Sequence, residues 1–302
     1  IDSYLVPYLS YILALLKEPV LLFNIIYNKK ERFKSYMKNQ RLLYQMIICA
    51  IFAALAFVGT MVQIPLPSGG MVHLGNFVCV LGALLCGPIV GGLAGGIGCG
   101  LYDLIIYSSL PGFIQYFILK FVMGFIVGYL FRLIINHKSK LPFNIILSAL
   151  GVILAILTSL VIIFYKTDLI SLSKSIDKKT MYIIIVVVFG YLFSLLLILA
   201  GIFSTKLKSV TRVVVFVTTI SVIVNIILEF IWKLFYNMWI ESLTSKAALI
   251  KGISTMPSCI LTGTLTVVVI SLIYYRIYLA TKSLNHINEI DVEGYLEENT
   301  NE

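Results

Sequence analysis

Charge is the scarcest commodity in this 302-residue chain: Asp, Glu, Lys and Arg make up 12% of it, against 60% apolar residues. Soluble domains carry about 25% charge, so the chain lacks the polar surface that a water-soluble enzyme needs. Histidine is scarcer still, with three in all (His73, His137 and His286). No His-Glu-x-x-His zinc motif can be built from them, and no Gly-x-Ser-x-Gly elbow or Walker sequence is present, so catalysis finds little support and the chain is not its own ATP engine. The five cysteines (Cys49, Cys79, Cys86, Cys99 and Cys259) show no C-x-x-C spacing. They lie in apolar runs and read as small buried hydrophobes, neither metal ligands nor a disulfide framework. No cofactor is implied.

What is present in abundance is hydrophobic run. A span needs about 20 mostly apolar residues to cross a core of about 30 Å. Such stretches occur at 42–62, 113–135, 143–165, 181–203, 211–236 and 252–279. The run 72–108 is too long for one span, and Gly87-Pro88 divides it into 72–86 and 89–108, because Pro lacks a donor and restricts its predecessor. Eight spans result. The 23 basic residues then set the orientation. With both termini inside, 14 fall in cytoplasmic segments and 6 in external loops, as the positive-inside rule requires. The net charge of +9 is thereby accounted for without nucleic acid. Residues 4–27 are apolar but carry Pro7, Lys17, Glu18 and Pro19, which favours an interfacial helix over a ninth span. Residues 289–302 hold six acids and no base, and read as a solvated tail.

Glycine is clustered. Gly87, Gly91 and Gly95 repeat every four residues, as do Gly92, Gly96 and Gly100, and Gly124 with Gly128 repeats the step. Such series put small residues on one helix face, where two backbones approach closely in lipid. Ala50 and Ala54 form a similar face on the first span, suited equally to internal packing or to a partner helix.

Ionisable residues inside spans are costly and therefore informative. Here they are Asp103, Lys120, Glu229 and Lys233, with His73, Asn76 and Asn225 as uncharged company. Asp103 lies about 21 Å along its span from the inner end, at 1.5 Å per residue. By the same counting the whole set converges on the outer half of the bundle. Two acids and two bases at one depth can pair with no net charge, either as a structural network or as the polar lining of a ligand pocket. Tyr102, Tyr107, Phe113, Tyr116, Trp232, Tyr236 and Trp239 share that level, as an interfacial belt or as stacking platforms.

The ordered residues Pro67-Ser68-Gly69-Gly70-Met71-Val72-His73-Leu74-Gly75-Asn76, Leu84-Leu85-Cys86-Gly87-Pro88, Gly95-Gly96-Ile97-Gly98, Tyr102-Asp103 and Leu119-Lys120 resemble the substrate-binding (S) components of energy-coupling factor transporters. The riboflavin-type S-component family, associated with riboflavin, pyridoxine or a thiamine-pyrimidine precursor, is the nearest group. The resemblance covers about 42–135 well and 211–279 weakly. It implies an all-α polytopic membrane protein of the bacterial plasma membrane with a six-helix core, from which the eight spans depart by an extra transmembrane hairpin. It implies capture of a vitamin-like small molecule from outside, with a membrane-embedded coupling (T) protein and two cytoplasmic ATPase subunits as partners. Substrate-binding positions carried over are His73, Asn76, Asp103, Lys120 and Glu229. Gln63, Pro67, Gly69 and Gly70 fall in the gating loop, and Ala50 and Ala54 on the coupling face. Asn76 stands where the family usually has Asp, which removes a negative charge from the site.

The domain reading that follows is a basic N-terminal segment 1–41, core spans 42–137, an inserted hairpin 138–209 at the bundle's periphery, the last core spans 210–282 and the tail 283–302. Two other classes remain open on sequence: a stand-alone secondary transporter relaying protons through Asp103, Lys120 and Glu229, and a membrane-embedded enzyme. Inverted repeats would favour the first, and none is visible between 42–135 and 181–279.

Overall fold

The computed structural model describes residues 42–66, 70–138, 142–173, 177–204, 207, 209–280, 292 and 295. The expectations for residues 1–41, including the interfacial helix, fall outside the described residues, as do Pro67 and Gly69 of the gating loop. Contacts divide the chain into residues 1–47 and 48–302. The described part of the first unit is the opening of one helix, residues 42–47; every contact considered below lies within the second unit.

The described residues are all-helical apart from one small hairpin. Helix α1 (Leu42–Met61) is followed by strands β1 (Gln63–Pro65) and β2 (Met71–His73). Then come α2 (Gly75–Cys86), α3 (Pro88–Ile106), α4 (Leu110–Asn136), α5 (Phe143–Ser173) and α6 (Asp177–Ser204). The chain continues through α7 (Ser209–Trp239), the short α8 (Ser245–Ser254) and α9 (Met256–Ala280). Among the described residues six helices are long and apolar enough to cross a membrane; Gly75–Cys86 and the segment Gly190–Phe203 are shorter apolar helices.

The division at Gly87-Pro88 is present: α2 ends at Cys86, and α3 begins at Pro88 with its missing donor in the first turn. Gly87 turns the corner at φ 97°, a conformation open to glycine, and its N–H closes α2 on the Ala83 carbonyl. Three sequence expectations need correction. The second span is a helix of only 12 residues, about 18 Å long and too short to cross alone. Its expected first residues, Val72 and His73, belong instead to an antiparallel hairpin pairing Gln63 with His73 and Pro65 with Met71. The last span is broken at Thr255, since Pro257 fits the first turn of a new helix and not the middle of an old one. The acidic tail is not solvated throughout: Val292 and Tyr295, an apolar pair at helical spacing, are buried in the same core as Val210, Val213 and Tyr274.

Glycines set how the helices meet. The two series in α3 face different neighbours. Gly91 abuts Ala83 and Gly95 abuts Cys79, both on α2. Gly92, Gly96 and Gly100 lie under the rings of Phe121, Phe117 and Phe113 of the antiparallel α4. Gly124 and Gly128 return the contact against Gly92 and Pro88. Those phenylalanines continue a stacked ladder with Phe125 and Tyr129, ring centroids about 6 Å apart at every step. Gly98 meets Ala53 and Ala56 of α1, so the inward face of α1 is Ala53–Ala56 while Ala50 and Ala54 point outward.

Burial is inverted relative to a soluble protein. On α7, Thr218, Ser221, Asn225 and Glu229 are buried while Ile227 and Phe235 are about half exposed, as suits a helix whose outside is lipid. The α5–α6 pair packs on the far side: Phe143 meets Phe216 of α7 edge-on at 5.0 Å, and Phe193 and Leu197 pack with Val222.

Candidate functional site

A cavity of about 310 Å³ lies beneath the hairpin, bounded by α2, the α3–α4 turn, α4, α7 and α9. That volume falls at the small end of the range for small-molecule sites. The hairpin forms one boundary through Gln63, Pro65, Leu66, Gly70, Met71 and His73. It is pinned on two sides. The Gln63 amide Nε2 donates to the Tyr107 hydroxyl at 3.4 Å, and Thr262 Oγ1 on α9 donates to the Met71 carbonyl at 3.5 Å. Tyr107 is steadied by Tyr102, whose ring meets it edge-on at 5.8 Å. Gly70 must be glycine here because a Cβ would strike the Ser258 side chain on α9.

The remaining wall comes from Asn76 on α2, Tyr116 and Lys120 on α4, Glu229 and Lys233 on α7, and Ser258, Cys259 and Thr262 on α9. Of the five sequence-selected binding positions, the structure brings His73, Asn76, Lys120 and Glu229 together in this wall and leaves Asp103 out of it. Asp103 instead packs against the opening of α4: a Cβ on Gly112 would collide with its Oδ2. The positive end of a 27-residue helix favours an anion at that place. Gln63 and Gly70 of the gating loop line the cavity as well.

Each polar wall group has an identifiable state. His73 Nδ1 accepts the Gly75 backbone N–H at 3.2 Å, which fixes the neutral tautomer with its Nε2–H as a donor. Lys120, 1% exposed, donates to Asn225 Oδ1 at 3.2 Å, and its ammonium lies 5.5 Å from the centre of the Tyr116 ring. Glu229 and Lys233, one helical turn apart, form an ion pair at 3.4 Å. Asn76 Oδ1 and Gln63 Oε1 are buried without a hydrogen-bond partner. In a dry environment such acceptors are expensive to leave open.

Sequence reasoning missed Ser258, Cys259 and Thr262. Their signal is Pro257, which marks the helix break that turns them inward. Of the seven aromatics counted at this level, Tyr107 and Tyr116 reach the cavity, whereas Trp239 is 78% exposed. Among the described residues no group of His, Cys, Asp and Glu could hold a metal ion.

The chain is thus a polytopic helical bundle with a polar-walled cavity beneath a hairpin. The family described as ECF-type riboflavin transporter, S component, matches residues 42–200, more than half of the chain and running through α5 and most of α6. The chain belongs to this S-component family and is a multi-pass cell-membrane protein. It is also similar to an uncharacterized protein of Pyrococcus woesei, described as lying in a gap 3′ region, at 48% identity over 50 residues. That stretch covers 16% of this chain and 34% of the relative, so the chain spans about a third of that curated relative's length. No solved structure matches the chain.

Proposed function

We propose that the chain captures a vitamin-like solute from outside the cell in the cavity beneath the hairpin. It then delivers the solute inward together with a membrane-embedded coupling protein and two cytoplasmic ATPases. The observation that carries this reading is the cavity itself, where His73, Asn76, Lys120 and Glu229 converge although they lie on three helices and a strand. The sequence supplies no energy source of its own, which fits a subunit dependent on partners. The 14-to-6 distribution of basic residues supports an external position for the hairpin. Ala50 and Ala54 lie on the outward face of α1, where a partner helix can approach closely.

Vitamin uptake by cells expressing the chain with and without the coupling protein and ATPases tests the proposal. Uptake should require all of them, and uptake at full rate from the chain alone would make it a self-sufficient transporter. Ala50→Trp or Ala54→Trp should abolish uptake while solute binding by the purified chain stays normal. Loss of binding would instead assign that face to internal packing.

A further inference from the structure

Apart from the cavity beneath the hairpin, a groove of about 310 Å³ runs between α6, α7 and α9. The two share no residue. Thr219 in the groove wall is fully buried, and Thr264 and Ser271 turn their hydroxyls onto the Ile260 and Val268 carbonyls of their own helix. The hydroxyl donors of α9 are thus spent on backbone, which suits an alkyl chain better than a polar solute. Phe193 and Leu197 close one end of the groove by packing on Val222, and the other end reaches Leu207 in the α6–α7 connection. From Phe193 to Phe203 the wall of α6 covers about 15 Å, half of a hydrocarbon core of about 30 Å. The groove therefore has the depth of one leaflet. Its rim lies open to the bilayer, with Phe203 52% and Val268 46% exposed.

Positive charge gathers at the Leu207 end. Arg212, Val215 and Thr219 follow one another by steps of three and four on one face of α7, and the last two line the groove. Arg212 therefore stands about one turn beyond it, toward the start of α7. Its Nε is buried with no hydrogen-bond partner, and Tyr295 is within its electrostatic reach. In the sequence, Lys206 and Lys208 flank Leu207. A guanidinium fork matches a phosphate bidentately, and basic residues at a membrane surface attract anionic lipid. An alkyl-lined groove one leaflet deep that ends at an arginine complements a phospholipid in both shape and charge.

We propose that this groove holds one acyl chain of an anionic phospholipid, with the lipid phosphate on Arg212. The lipid comes from the leaflet that meets the α6–α7 connection and fills the gap between α6 and the helices α7 and α9. The site is independent of what the cavity beneath the hairpin binds.

The test titrates the purified, delipidated full chain with phosphatidylglycerol and phosphatidylcholine of identical acyl chains, and counts bound lipid by native mass spectrometry. Phosphatidylglycerol should bind roughly tenfold more tightly, the low end for one charge-assisted hydrogen bond. Glycerol 3-phosphate, a headgroup without chains, should not displace it. Arg212→Gln should level the two lipids, and Val268→Trp, which fills the groove from its exposed rim, should weaken both. Two readouts need no variant and decide the matter if either substitution prevents folding. High salt should narrow the preference of the parent protein. One equivalent of phosphatidylglycerol with a photoreactive acyl chain should label peptides within 193–203 and 264–271. Equal binding of the two lipids, a preference that survives Arg212→Gln or high salt, or displacement by the bare headgroup would overturn the inference. Labelling confined to other helices, or lipid binding untouched by Val268→Trp, would overturn it as well. A dimer that Val268→Trp dissociates while lipid binding persists would give the groove to a second copy of the chain instead.

Discussion

The α3–α4 interface allows a sharp test of how the bundle is held. Gly92 and Gly96 are one helical turn apart, and a Cβ on either would lie 2.8 Å from a backbone carbonyl oxygen of α4, that of Phe121 or Phe117 respectively. Favourable heavy-atom contacts begin at about 3.5 Å, so α4 must retreat by roughly 0.7 Å to admit one methyl. The obstacle is backbone inside a helix and cannot rotate away. Overpacking of this kind costs about 1–3 kcal/mol, and the rigid carbonyl argues for the upper end. Replacing glycine by alanine inside a helix returns about 1 kcal/mol of propensity. Gly92→Ala should therefore destabilise by about 2 kcal/mol net. Gly252 on α8 is the control, because its Cβ would meet nothing closer than 3.5 Å. Gly252→Ala should stabilise by about 0.5–1 kcal/mol. At about 2–4 °C per kcal/mol these are a drop of about 4–8 °C and a rise of about 1–4 °C. The five cysteines are reporters, four buried and Cys49 partly so, and the melting temperature can be read as the onset of their reaction with a thiol-specific fluorophore. The double variant Gly92→Ala/Gly96→Ala should cost less than twice the single, because one retreat of α4 clears both methyls. A Gly92→Ala protein that melts with or above the parent would refute the close approach. Strict additivity would refute the shared displacement.

The glycine periodicities made this interface legible in the sequence, down to which positions form a set, because a four-residue step has one geometric meaning on a helix. The assignment of the Gly91/Gly95 face to α2 and the Gly92/Gly96/Gly100 face to α4 was not legible, since periodicity names a face and not its neighbour. The site was legible through its cost: polar residues in apolar runs are few, and His73, Asn76, Lys120 and Glu229 proved to share one wall. Asp103 met the same criterion but sits just outside that wall, against the start of α4 and within electrostatic reach of Lys233 and Lys120, a placement that no count along a span can distinguish. Ser258 and Cys259 escaped notice because each bonds the Thr255 carbonyl of its own turn, so small polar side chains sit in apolar sequence without visible penalty. The hairpin was hidden because Met71 and Val72 continue the hydrophobic run of α2 and carry no turn signal of their own. The pairing of Gln63 with His73 is a tertiary fact.

Two further perturbations separate the cavity from the scaffold around it. Phe143→Ala removes a ring 6% exposed that meets Phe216 at 5.0 Å, and should cost about 3–5 kcal/mol in melting experiments. No described residue of α5 or α6 lines the cavity, so solute affinity measured below the melting range should be unchanged, and a tenfold loss would tie the α5–α6 pair to the site. Lys233→Met strips Glu229 of its ion-pair partner and leaves a buried carboxylate, a change worth about 3–5 kcal/mol when both partners are fully buried. Lys233 is 22% exposed, so the lower end applies. The paired variant Lys233→Met/Glu229→Gln removes both charges and should recover most of the loss, because the penalty belongs to the orphaned carboxylate and not to the missing contact. If the double variant melts as low as the single, then the lysine stem packs the wall in its own right, and the charge account of the α7 face is wrong.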